Sequence, residues 1–229
     1  MFKQLWPTTI FEGDISDDFP DEDRLGLLEM SRKFVKDYPY TYYKDQPYAS
    51  TSKNFIDPRS EPEEHPPNVN PDLIYPDCPY LKKFKKILIE KMRVILQFDK
   101  FPGSQTLDIE TLFLPRIVES KWKGYRQLPH YHRGADYFAL YYMDLDVEEK
   151  KESIYTTTNG NLYLIDPVAQ KSSHLGQTDS YRINPYPGLL VIHPTKIAHM
   201  TDTYYGEKDR CLIGVAIKIV NKKIGRAHV

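Results

Sequence analysis

The sequence predicts an α+β chain that is mainly β, with N-terminal supporting helices and a C-terminal antiparallel barrel or jelly roll. Three observations lead there. From about residue 107, short segments rich in Val, Ile, Tyr and Thr recur at 107–120, 135–145, 161–166, 188–193 and 211–220. Turn residues such as Thr158-Asn159-Gly160 and Asn184-Pro185-Tyr186-Pro187-Gly188 separate them, and no helix-length periodic stretch intervenes. Strands joined this way close on themselves, which removes exposed edges. Before residue 107, apolar residues instead recur at helical spacing. Finally, 229 residues with 40% apolar side chains suit one barrel-sized domain. We therefore expect a single domain over 1–229, with a helical and loop region over 1–106 and a jelly-roll core over 107–222.

The N-terminal elements follow in order. Asp21, Glu22 and Asp23 precede Leu25, Leu27, Leu28, Met30, Phe34 and Val35, and Lys33 and Lys36 come late. Acids at the start and bases at the end complement a helix dipole, so 21–37 reads as a helix. Seven prolines then fall between Pro58 and Pro79. Each removes a donor and restricts φ, so 58–79 is expected to be an extended surface loop, long enough to serve as a lid. Beyond it, Leu81, Phe84, Leu88, Met92 and Ile95 line one helix face. Lys82, Lys83, Lys85 and Lys86 occupy the other, and a solvated face explains them better than a phosphate site.

Composition excludes several function classes. The 31 Lys and Arg against 32 Asp and Glu leave a formal charge of −1, whereas a nucleic-acid coat or membrane-surface binder needs a basic excess. No apolar run approaches the ~20 residues of a membrane span. The opening MFKQLWPTTIFEGD has the wrong composition for a signal peptide. Two cysteines, Cys78 and Cys211, make no disulfide framework, so a reduced, cytoplasmic chain is expected. Neither has a histidine at a telling spacing for a thiol nucleophile.

Histidines carry the chemistry. His130 and His132 lie in Leu128-Pro129-His130-Tyr131-His132-Arg133-Gly134, and His199 in Ile197-Ala198-His199-Met200. His193 closes the apolar run Leu189-Leu190-Val191-Ile192. Strand alternation sends His130 and His132 to one face, about 6.5–7 Å apart. Two inward imidazoles fill a core poorly and hold a divalent metal well. Any single buried histidine is more often a packed core residue. The third one, at a strand end after Gly188-(x)5-Pro194, shifts the balance towards a metal.

Three segments resemble the Fe(II)- and 2-oxoglutarate-dependent oxygenases, in the order and spacing of that superfamily. The first is Trp122-Lys123-Gly124 with Pro129-His130-Tyr131-His132-Arg133-Gly134 and Tyr141-Tyr142-Met143. Next comes Gly160-Asn161-Leu162-Tyr163-Leu164-Ile165-Asp166-Pro167. The last runs from Pro187-Gly188-Leu189-Leu190-Val191-Ile192-His193-Pro194 through His199 to Arg210. Leu5-Trp6-Pro7-Thr8-Thr9-Ile10 is similar to the start of a bacterial and phage subgroup of these enzymes.

The resemblance implies a double-stranded β-helix and, as cofactor and co-substrates, Fe(II), 2-oxoglutarate and O2. It implies hydroxylation of an unactivated C–H bond in a small molecule, amino acid or peptidyl side chain, with no nucleic-acid or membrane partner. It assigns metal binding to His130, His132 and His199, and the far carboxylate of 2-oxoglutarate to Arg210 with help from Tyr142. Arginine suits that role because its planar fork grips a carboxylate bidentately. The competing reading of Arg210 is a surface ion pair with Glu207 or Asp209.

The sequence departs from the superfamily where most members carry H-x-D, because His132 stands at the carboxylate position. Read one step later, His132-x-Gly134 resembles members lacking the carboxylate, the halogenases among them. The Pro129-His130 register matches the subgroup better. A rival is the cupin pattern Gly124-(x)5-His130-x-His132-(x)3-Asp136, with Asp136 as a fourth ligand and Lys196 where a glycine is expected in the second motif. That reading gives a dioxygenase, isomerase or sugar-binding cupin that does not use 2-oxoglutarate. Trp122, Arg126, Arg116 and Lys121 lie on the approach to the histidines and are weaker candidates for substrate contact. His65, His174 and His228 are expected in exposed loops or the tail.

Overall fold

In a computed structural model, residues 2–5, 8–37, 70–101, 107–118, 125–132, 134–147, 160–165 and 180–220 are described. Among the described residues, ten strands and three helices follow in the order β1 (Phe2–Leu5), β2 (Thr8–Asp14), α1 (Asp21–Asp37), α2 (Pro71–Ile74), α3 (Pro79–Phe98), β3 (Asp108–Val118), β4 (Tyr125–His130), β5 (Tyr137–Asp144), β6 (Leu162–Ile165), β7 (Ser180–Ile183), β8 (Leu189–Pro194), β9 (His199–Tyr204) and β10 (Arg210–Val220). Two antiparallel sheets form the barrel. One has the order β1-β2-β8-β5-β10-β3 and the other β4-β9-β6-β7. This is a jelly roll, as the strand pattern predicts.

Both helices expected from periodicity are present. In α1, three acids lie in the first turn and Lys36 in the last, while Leu27, Leu28, Ser31 and Phe34 are buried. In α3, Leu81, Phe84, Ile87, Leu88, Met92, Ile95 and Leu96 form the buried face. Its lysines meet acids: Lys82 pairs with Asp77 at 3.1 Å, Lys83 with Asp23, and Lys85 with Asp72. A solvated, ion-paired face is thus what the sequence placed there. Among the described residues, no helix is long and apolar enough to cross a membrane.

Strand alternation divides the core in two. Odd positions of β5 (Tyr137, Ala139, Tyr141, Met143) pack with α1, α3 and Phe19 on the outer side of the six-stranded sheet. Even positions (Phe138, Leu140, Tyr142) point between the sheets, with Leu114, Leu162, Leu164, Leu189, Val191 and Leu212. β5 is therefore buried on both faces, which explains its unbroken apolar run. Each such fully buried side chain contributes about 1.5–3 kcal/mol relative to exposure.

Two expectations need correction. The region over 1–106 is not only helix and loop, because β2 pairs with β8 (Phe11 with Ile192, Asp14 with Leu189) and β1 pairs with β2. Thr8-Thr9-Ile10-Phe11 carries the β-branched and alternating pattern of such a strand. Its partner, however, lies some 180 residues away along the sequence. The stretch 58–79 is also not wholly extended. Pro71 opens the short helix α2, capped by the Asn70 side chain accepting from the Asp72 amide at 3.2 Å, and Pro79 opens α3. Proline at a first helical turn loses nothing, since that N–H has no partner in the helix. The rest of that stretch, with its expected lid role, lies outside the described residues, as do His65, His174 and His228.

Candidate metal centre

His130 ends β4, His132 follows two residues later, and His199 opens β9. β4 pairs with β9, so that His130 and His199 are cross-strand partners. The pairing shifts register twice, between Tyr125 and Gln127 and again before His130. Such irregularities re-aim side chains. One potential ligand nitrogen from each of the three imidazoles lies within 4.8 Å of the others. Ring centroids are 4.3 Å apart for His130 and His199, 4.9 Å for His132 and His199, and 5.1 Å for His130 and His132.

The cluster is dry. His132 and His199 are buried and His130 is half-buried. Phe138 stacks on His132 at 3.7 Å between centroids and 23° between planes, and on His199 at 5.9 Å and 17°. Burial is the main cause that pushes the basicity of His132 and His199 far down, with the neighbouring imidazoles and Arg116 adding to it. All of these act against the charged ring. The rings are thus held as neutral imidazoles, the form that ligates metals. The Nδ1 of His199 is sealed from solvent with no hydrogen bond in the described structure.

His193, which the sequence left as the end of an apolar run, belongs beside this cluster. It pairs with Phe138 across β8 and β5. It is fully buried, and its ring lies 4.9 Å from that of His199 at 70°. Burial, chiefly, pushes its basicity down to about 4. Its parity with Leu189 and Val191 was a usable signal, since all three face the barrel interior. Phe138 was signalled the same way by Leu140 and Tyr142.

Arg210 begins β10 and is buried, with its guanidinium carbon 5.4 Å from the Tyr142 ring centroid. Its Nε has no hydrogen bond in the described structure. Burial raises the Tyr142 phenol and the Arg210 charge opposes that shift. Gly160, in a left-handed conformation (φ +70°), leaves the space that Arg210 fills, since a Cβ there would lie 3.1 Å from the arginine Nε. Arg210 is buried rather than at the surface. Asp209 pairs with Arg32 at 2.9 Å instead. Leu164 of β6 pairs with His199, while Gly160, just before β6, abuts Arg210. The arginine and the histidines thus occupy different levels of one barrel interior, four residues or about 13 Å of strand apart.

The weaker candidates separate. Arg116 on β3 is half-buried and close enough for its charge to act on His132 and His199. Arg126 is exposed. Lys121 and Trp122 lie outside the described residues. Asp136 is not brought to the histidines. Its side chain is exposed and accepts a hydrogen bond from the Ile219 amide at 2.7 Å. It lines an outer cleft of about 680 Å³ with Phe98, Asp99, Tyr137 and Lys196, and none of the histidines lines that cleft. The four-ligand cupin set therefore lacks its carboxylate in this fold. Gly134, the vacant position of the alternative H-x-G register, has φ +84° and nothing within 4 Å of where a Cβ would stand. Cys78 and Cys211 are both free thiols.

No family model and no curated protein sequence matches the chain. Solved structures do. A prolyl-4-hydroxylase from Pseudomonas putida superposes with a TM-score of 0.51 over 91% of this chain and 87% of its own, at 12% identity. A prolyl hydroxylase from Trichoplax adhaerens, solved with a hypoxia inducible factor peptide fragment, gives 0.51 over 91% and 83%, also at 12%. The non-haem α-ketoglutarate-dependent epimerase SnoN gives 0.51 over 91% and 76%, at 9%. At these identities the likeness is one of fold, and it covers nearly the whole chain.

Proposed function

We propose that the chain is a non-haem Fe(II)- and 2-oxoglutarate-dependent oxygenase whose metal is held by His130, His132 and His199. The observation that carries this reading is a dry cluster of three imidazoles in the same barrel interior as a buried arginine. The residues fit the metal. Burial holds the rings of His132 and His199 neutral, and the potential ligand atoms of all three histidines converge. They also fit the co-substrate, because a buried guanidinium beside a tyrosine suits the far carboxylate of an extended dicarboxylate. When bound, iron with 2-oxoglutarate and O2 supplies the oxidising power for an unactivated C–H bond.

The protein's own contribution is orientation and dryness. Phe138 clamps the planes of His132 and His199. Arg210 and Tyr142 fix the end of the co-substrate remote from the metal. Leu140, Leu162, Leu164 and Ile197 keep water out, which strengthens every charge interaction inside. The reaction proposed is hydroxylation of a small molecule, amino acid or peptidyl side chain.

The test is anaerobic addition of Fe(II) and then 2-oxoglutarate. The weak visible charge-transfer band of the chelate should appear, and Arg210→Ala should abolish it while metal remains bound. In air, turnover should release succinate. Metal bound without that band would replace this reading by a cupin-type metalloprotein. No metal uptake would leave a barrel kept without its chemistry.

A further inference from the structure

Among the described residues, His193 is the one buried histidine that the proposed ligand set leaves unused, and its two nitrogens are not equivalent. Nδ1 lies 2.9 Å from the carbonyl oxygen of Pro194. A carbonyl only accepts, so that nitrogen carries the proton, and in a neutral ring Nε2 is left with the lone pair. That Nε2 is sealed from solvent and accepts no hydrogen bond in the described structure. A buried acceptor without a donor costs about 1–3 kcal/mol, and one kept in a barrel core calls for a use.

The complementary deficit lies on the adjoining ring. His199 has a sealed Nδ1 with no partner, whereas its Nε2 is not among the sealed atoms. A histidine that ligates through Nε2 carries its proton on Nδ1, and ligating histidines regularly donate that second N–H to an acceptor. The two rings are in contact edge to face, with centroids 4.9 Å apart and planes inclined at 70°. The ligand atoms of the triad converge within 4.8 Å without His193, which marks it as a supporting residue rather than a fourth ligand.

We propose that His193 is the positioning residue of the metal centre: its Nε2 accepts the Nδ1–H of His199, so that a Pro194 C=O···His193···His199 relay sets the tautomer and orientation of the distal ligand. This rests on the three-histidine metal site proposed above. The relay joins β8 to β9, and the segment between them is pinned by Ile197 N–H donating to the Pro194 carbonyl at 3.1 Å. The same carbonyl thus anchors both the strand connection and the imidazole.

Co(II) titration of the purified chain, followed by its visible d–d absorption, tests the relay through two variants. His193→Phe keeps an aromatic ring but no acceptor, and should weaken Co(II) binding about 10–100-fold, the usual cost of losing such a partner. His193→Gln places a carbonyl oxygen near the old Nε2 position and should restore affinity to within a few-fold of wild type. Equal affinity in wild type and His193→Phe overturns the relay while leaving the metal site standing. A wild type that takes up no Co(II) overturns the metal site and the relay with it. Long-range 15N–1H NMR on the Zn(II)-loaded wild type gives a readout that needs no variant. His193 should be the Nδ1–H tautomer and His199 should be metallated at Nε2 with a proton on Nδ1. Metal on His193, or a proton on its Nε2, overturns the proposal.

Discussion

His130 and His199 are direct cross-strand partners on β4 and β9, with their rings 4.3 Å apart. Sixty-nine positions separate them in the chain, so it is the sheet register that makes them neighbours. His130→Ala should lower Fe(II) or Co(II) affinity by more than the about 10–100-fold expected from loss of an outer partner. Calorimetric or spectroscopic titration measures it. Iron binding and activity both retained in that variant would move the ligand set to the His132-x-Gly134 register.

Phe138 holds the plane of His132 and also fills the space beside Gly214, where an added Cβ would lie 2.8 Å from its ring. Phe138→Ala opens a void under two ligands at once. Stability should fall by about 3–5 kcal/mol, measured as a lower urea midpoint. Metal affinity should fall too, because the histidine planes lose their stop.

Gly160 and Gly134 form a natural control pair, since both have positive φ but only Gly160 is crowded. Alanine at either should cost about 1–2 kcal/mol of backbone strain, or roughly 2–8 °C in melting temperature for a chain of this size. Gly160→Ala should in addition push Arg210 out of place and weaken 2-oxoglutarate binding tenfold or more. Gly134→Ala should leave that binding unchanged. Equal effects on 2-oxoglutarate would separate Arg210 from the co-substrate site.

Acid should destabilise the metal-free protein. His132, His193 and His199 all bind protons less readily folded than unfolded, mainly through burial, and His193 is brought to about 4. The unfolded chain takes up protons first, as pH falls through about 6.5, so stability is fully present above that value. The His193 part is lost between about 6.5 and 4, and the His132 and His199 parts go on falling to lower pH, at up to about 1.4 kcal/mol per pH unit for each histidine. Denaturant midpoints at pH 7.5, 6 and 5 should fall in that order. Bound metal, which protons must displace, should move the fall to lower pH.

Helices α1 and α3 and five of the ten described strands were readable because each obeys a local rule. Helix α1 runs over the span its acids and lysines predict, and the five predicted strand segments each hold one strand of the barrel. β1 and β2 were missed because a strand is stabilised by its partner: β1 pairs with β2, and the other partner of β2 sits near residue 190. At the site, alternation grouped His130 with His132 and put His199 at a strand end. It could not show that Asp136, at equally suggestive spacing, turns to the Ile219 amide instead.

Sequence alone determined the element types, the balance of charge, and a histidine set suited to a metal. These follow from periodicity, counting and the chemistry of side chains, none of which needs a partner strand. Tertiary structure decided which candidates meet. It brought His193 into contact with His199, removed Asp136, and buried Arg210 against Gly160 and Tyr142. The physical reason is register: period-two alternation gives each side chain a face, but only pairing between distant strands decides what that face meets.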